Sequence, residues 1–188
     1  MYNILYINDY INYYDKKTNQ LIKHTPYAKS IDKGLISDIN KFIKSFKRMI
    51  KDNKIKQGMF NDKLLIITPP NFTSAYKYLY KQIFISLNYN FIVFKNEINF
   101  YNLSKKNINI SLSNNYFYIT KSFYNKTISN CYTIEDLNII LKDNTKNYYL
   151  YGLPSELIIN TFEKNNLNYY LFDENENIFI KKQILSLL

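Results

Sequence analysis

The spacing of apolar positions changes several times along the chain, and each change marks an element. "YNILYIN" reads as a buried strand, and "INYYDKKTNQLIKH" as two strands around a Lys-Lys-Thr-Asn turn. From Asp38 the period lengthens. Ile39, Phe42, Ile43, Phe46 and Ile50 fall at helical spacing, with Asp38 placed to cap or lead in. Leu64 to Ile67 is too short and too β-branched for a helix, and Pro69 and Pro70 cannot continue a ladder. Thr73 or Ser74 can cap the segment that follows, in which Tyr76, Leu79, Tyr80, Ile83, Phe84 and Leu87 make one apolar face. "NFIVF" predicts another buried strand, and Glu97 to Leu103 a short helical segment. Alternating strands and helices of this kind predict an α/β sheet with helices packed on it.

The second half repeats the theme. "INISLSNNYFYITKSFYN" predicts a hairpin turning at Ser113, Asn114 and Asn115. "TIEDLNIILKD" predicts a helix opened by Thr133, "YYLYG" a strand ending at Gly152, and Ser155 can cap a helix through Phe162. "NYYLFD" closes the sheet as a strand, and "IFIKKQILSLL" ends as a short helix.

Composition narrows the class. At 188 residues, 46% hydrophobic and 18% aromatic, the chain can bury a real core and is too apolar for a disordered one. No apolar run reaches the roughly 20 residues of a bilayer span, and "MYNILYINDY" lacks the order of a signal peptide. Those features predict a soluble, cytoplasmic protein with no membrane span. The formal charge of +10 comes almost wholly from lysine, with Arg48 the sole arginine. Those lysines are spread along the chain, whereas nucleic-acid binders concentrate basic residues and use arginine for bidentate contacts. The charge therefore predicts solvated lysine faces rather than nucleic-acid binding. His24 and Cys131 have no partner at metal-ligand or nucleophile spacing, and read as a surface histidine and a packed thiol.

The order of these elements, with several motifs, resembles the actin superfamily. "IDKGLISDINKFIKSFKRMI", with Gly34 and Asp38, is similar to the family's short turn and acidic lead-in to its first long helix. "LLIITPPNFTSAYKYLYKQIFISLNYNFIVFKNEINFY" resembles the next strand, proline-bearing turn, helix, strand and short helix, with Pro70 as the turn proline. "YYLYGLPSELI" resembles the strand, glycine turn and helix on the adenine side, and "IFIKKQILSLL" the closing helix. The resemblance implies a reduced actin-like (ribonuclease H-like) α/β fold: mixed sheets flanked by helices, with the small subdomains missing. It also implies a first half-domain over 1–104 and a partial second one over 105–188, joined in a single compact unit.

The same resemblance locates a cleft whose chemistry is depleted. Gripping a triphosphate takes glycine-rich turns that present backbone N–H groups, and aspartates that hold hydrated Mg²⁺. The first such turn keeps only Asn8 and Asp9; the second has Ser113, Asn114 and Asn115. The adenine-side loop keeps Gly152 but continues Leu153-Pro154, and Lys181 and Lys182 replace the closing helix's glycine pair. Glu97 matches the position of the residue that orients the attacking water. Read alone, it is a solvent-facing Glu near a helix N-terminus.

These readings predict a protein that is not an enzyme. It would have no cofactor and no metal, and would bind protein partners within a larger, cytoskeletal-type assembly. The competing expectations are an active ATP- and Mg²⁺-binding actin homologue with noncanonical loops, and a basic subunit associated with RNA or the ribosome.

Overall fold

The computed structural model describes residues 2–56, 62–101, 103–104, 106–113, 116–123, 126–136, 141, 143–152, 154–172 and 178–185. The chain divides into two compact units, Met1–Glu97 and Ile98–Leu188; the sequence reading sets the boundary at 104/105.

In the first unit, β1 (Asn3–Ile7), β2 (Ile11–Asp15) and β3 (Gln20–His24) form an antiparallel meander. β6 (Lys63–Thr68) and β7 (Phe91–Asn96) then join β1 in parallel, giving the order β3-β2-β1-β6-β7. Between them lie the two-residue strands β4 (Ile31–Asp32) and β5 (Leu35–Ile36) and the helices α1 (Ile39–Asp52) and α2 (Ser74–Ser86). The tight β4–β5 turn has positive φ at both central residues, Lys33 (48°) and Gly34 (76°), which matches the right-handed strand twist. Asp38 caps α1 by accepting from the Lys41 N–H at 3.0 Å, and Thr73 caps α2 by accepting from the Tyr76 N–H.

Leu5, Ile7, Leu64 and Ile66 on one sheet face pack against Phe42, Phe46 and Met49 of α1 and Tyr80, Ile83 and Phe84 of α2. Phe46 and Phe84 meet edge to face at 5.5 Å. The helical period selects Met49 for the core rather than Ile39, which is 39% exposed at the first turn. β7, expected to be buried, is an edge strand whose Phe91 is 53% exposed.

The second unit repeats the topology. β8 (Asn107–Leu112), β9 (Tyr116–Phe123) and β10 (Lys126–Thr133) form the meander, and β11 (Asn147–Tyr151) and β12 (Asn168–Phe172) add in parallel, in the order β10-β9-β8-β11-β12. Helices α3 (Glu156–Lys164) and α4 (Ile178–Leu185) complete it. Ile108, Ile110, Phe117, Ile119, Tyr148 and Leu150 pack with Ile158 and Phe162 of α3 as a separate core.

β10 is a strand that the hydrophobic pattern does not announce, because "KTISNCYT" is an edge strand with mostly polar residues. The helix expected from Thr133 is replaced over Ile134–Asp136 by a single 3₁₀ turn. Here the Asp136 carboxylate accepts from both the N–H and the hydroxyl of Thr133; residues 137–140 and 142 of that expectation lie outside the described residues. Ser155 occupies the N-cap of α3, but its side chain makes no capping hydrogen bond.

α1, α2 and α3 end alike. In each, the N–H two residues past the C-cap donates back to the last full turn: Ile55 to Ile50, Tyr89 to Phe84, Leu167 to Phe162. The left-handed position of this motif usually takes glycine. Here it is Lys54 (φ 52°), Asn88 (66°) and Asn166 (49°).

Candidate functional site

In an open α/β sheet, ligands bind at the carboxyl ends of the parallel strands. In the first unit that edge is formed by the ends of β1, β6 and β7. The register brings Asn8–Asp9, Pro69–Pro70 and Asn96–Glu97 to it together.

The turn after β1 is closed upon itself. The Asn8 N–H donates to the Tyr10 carbonyl at 3.1 Å, and the Asn8 Oδ1 accepts from the Tyr10 N–H at 2.8 Å. The same Oδ1 accepts from Asn12 Nδ2 at 2.9 Å; Asn12 is wholly buried and Asn8 nearly so. Asp9 is half-buried beside them. An anion cradle needs adjacent N–H groups turned outward. In this turn the N–H groups of Asn8 and Tyr10 both point to internal acceptors.

At the next turn, Asn96 Nδ2 donates to the carbonyls of Pro69 (3.1 Å) and Pro70 (3.3 Å), and the Phe72 N–H also donates to Pro69. The double proline ends β6, and Asn96 binds the turn to the end of β7. Glu97 corrects a sequence expectation. It is 0% exposed rather than solvent-facing, because the chain enters the 3₁₀ turn Glu97–Phe100 and presents Asn99 outward instead.

The second unit's edge brings Ser113 and Gly152 together at the ends of β8 and β11; Asn115 lies outside the described residues. The Ser113 N–H donates to the Tyr116 carbonyl at 3.0 Å and closes the hairpin. Gly152 sits at φ +103°, and a Cβ there would stand 2.9 Å from the Leu112 carbonyl oxygen. This glycine is therefore required by the packing of β11 against β8, whatever binds nearby.

Beside Gly152, Tyr151 and Phe172 stack at 5.3 Å and 18°, and Lys182 of α4 reaches them. Its ammonium lies 4.7 Å from the Tyr151 ring centre and 4.8 Å from that of Phe172, and donates to the Phe100 carbonyl at 3.3 Å. The motif resemblance implies that Lys182 replaces a glycine. It does not signal that the lysine lies against two aromatic rings. Asn12 and Asn96 were likewise unmarked, since a buried asparagine leaves no periodic trace.

Two residues read as isolated also acquire surroundings. His24 Nε2 lies 3.2 Å from the buried Ser45 hydroxyl; desolvation, then the Arg48 charge, lowers its pKa below the usual 6.5, opposed by Asp52. Cys131 is half-buried on β10. Among the described residues no group of three or more His, Cys, Asp and Glu could hold a metal, and no helix is long and apolar enough to cross a membrane.

No protein-family model and no curated protein sequence matches the chain. Solved structures do match. MreB5 of Spiroplasma citri bound to ADP aligns over 98% of this chain and 95% of its own with a TM-score of 0.59 at 11% identity. The ethanolamine utilization protein EutJ from Carboxydothermus hydrogenoformans aligns over 95% of this chain and 86% of its own, with a TM-score of 0.65 at 9% identity. Both are actin-superfamily proteins.

The fold is actin-like. The five-stranded sheets of the two units share one strand order, in a chain of 188 residues that makes a reduced version of the fold. Gly34, Asp38 and Pro70 occupy the turn and cap positions that the motif resemblance implies.

Proposed function

We propose that this is an actin-like protein without a nucleotide grip, acting as a structural, protein-binding subunit of a larger cytosolic assembly. The observation that carries this reading is the Asn8 side chain, which accepts the Tyr10 N–H at 2.8 Å. A phosphate at that turn would have to compete with an internal bond already made at good geometry. Lys182 supports the same reading from the second unit. Its ammonium lies against Tyr151 and Phe172, beside the glycine turn where the family resemblance puts the adenine.

With no phosphate to act on, Glu97 has no water to orient, and the chain has no ATPase activity. The alternative is carried over from the neighbours: MreB5 of Spiroplasma citri has been solved bound to ADP and to AMPPNP. Calorimetric titration of the full chain with ATP and Mg²⁺ separates the two. The proposal expects no saturable heat up to about millimolar ATP, a free energy near −4 kcal/mol. Saturable binding near micromolar would overturn it.

A further inference from the structure

At the end of the first unit opposite Asn8 and Glu97, where α1 and α2 run out, a cavity of about 470 Å³ opens between the two helix C-termini. Its floor is apolar and recessed, made by the buried side chains of Phe46, Ile55 and Leu87. Its rim carries three exposed lysines, Lys47, Lys51 and Lys54. Asp52, the carboxylate of that last helical turn, pairs with Arg48 at 3.3 Å.

The donors on offer narrow the ligand. The N–H groups of Asn53, Lys54, Ile55, Leu87 and Asn88 all donate to carbonyls of the closing turns, and the Ser86 hydroxyl donates to Ile83. No arginine lines the cavity. Bidentate phosphate recognition uses backbone N–H nests or guanidinium forks, whereas a lysine meets an anion as a point charge. Three ammoniums on flexible stems suit carboxylates spaced along a chain. A membrane surface would be met by protruding apolar side chains, whereas these are sunk in the floor.

Lys54 holds the left-handed position (φ 52°) that ends α1, where glycine is favoured and where α2 and α3 place asparagines. A lysine there gives up stability that glycine would retain, as Lys29 and Lys33 also do in turns of this unit, and it sets a third ammonium on the cavity's rim.

We propose that this cavity docks an acidic segment of a partner protein, its carboxylates facing Lys47, Lys51 and Lys54 and one apolar side chain entering over Phe46. This rests on the protein-binding reading above and names the partner's chemistry. It does not depend on the loss of nucleotide binding, so the ATP titration can fail without touching it.

The test selects a display library of random 12-residue peptides on the full chain, with counter-selection on the Lys47→Glu, Lys51→Glu double variant. The expected peptides are acidic with one aromatic or aliphatic anchor, and bind the wild-type chain at least about tenfold more tightly than the variant, with affinity falling as salt rises. Lys47→Gln with Lys51→Gln is the second variant if charge reversal disturbs folding. Lys54→Gly makes the sharpest prediction, a higher melting temperature together with a severalfold weaker complex. Failure to enrich any peptide that discriminates between the two proteins would overturn the proposal, as would enrichment of peptides without acidic residues. Lysine-dependent binding to phosphatidylserine–phosphatidylcholine vesicles in place of peptides would also overturn it, in favour of a lipid surface.

Discussion

The hydroxyls of Tyr13, on β2, and Tyr89, just ahead of β7, lie 3.0 Å apart inside the first unit's core, and neither residue is exposed to solvent. One hydroxyl donates and the other accepts, which lets an aromatic core hold two polar atoms. Removing one hydroxyl leaves the other buried with a lost partner. Tyr13→Phe or Tyr89→Phe should cost about 1–2 kcal/mol in urea unfolding, and the double variant less than the sum of the singles.

Alkaline pH tests the same pair by another route. Burial first, and then the neighbouring Tyr89, raise the Tyr13 pKa far above the usual 10.0. A group whose folded pKa is raised contributes stability that is whole below the unfolded pKa. That stability should fall as pH climbs past about 10. Absorbance at the phenolate band should show Tyr13 ionising together with unfolding, and not before it.

His24 should act in the opposite direction. Its folded pKa is lowered, chiefly by burial, so its contribution is whole above the unfolded value of about 6.5 and is lost as pH falls below it. His24→Gln should flatten the dependence of melting temperature on pH between about 6.5 and 5. Asp38 and Asp143, held down by hydrogen bonds from Lys41 and Thr145, act only below the ordinary carboxylate range of 3.8.

Gly152→Ala should destabilise the second unit by about 1–3 kcal/mol, from strain at positive φ together with the approach to the Leu112 carbonyl. The urea midpoint measures it. A neutral outcome would mean that β8 and β11 can separate at that end without loss.

Asn96→Ala should cost about 1–2 kcal/mol, since it frees the carbonyls of both Pro69 and Pro70 from their shared donor. Faster amide exchange at Phe72 should accompany the loss.

Much of the architecture was legible because strand and helix periods are local. The caps Asp38 and Thr73, the stop at Pro69–Pro70 and the hairpin of β8 and β9 each rest on a few consecutive residues. β10 was not legible, since a half-exposed edge strand of Thr, Ser, Asn and Cys has no apolar period to detect. Glu97 misled for a related reason. Its place at the start of a short helix suggested solvent, and burial is decided by what packs around that turn. At the candidate site, the missing glycines and carboxylates were visible in the sequence. Their replacements' partners, Asn8 with Tyr10 and Lys182 with Tyr151 and Phe172, depend on geometry that residue types do not carry.

Because each unit wraps its own core, with Phe46 and Phe84 in one and Phe117 and Phe162 in the other, a melting curve of the whole protein sums two structures. The chain has no tryptophan and a single cysteine, and that thiol lies on β10. A dye attached at Cys131 therefore reports on the second half alone, and set against tyrosine emission it would tell whether the two melt in step.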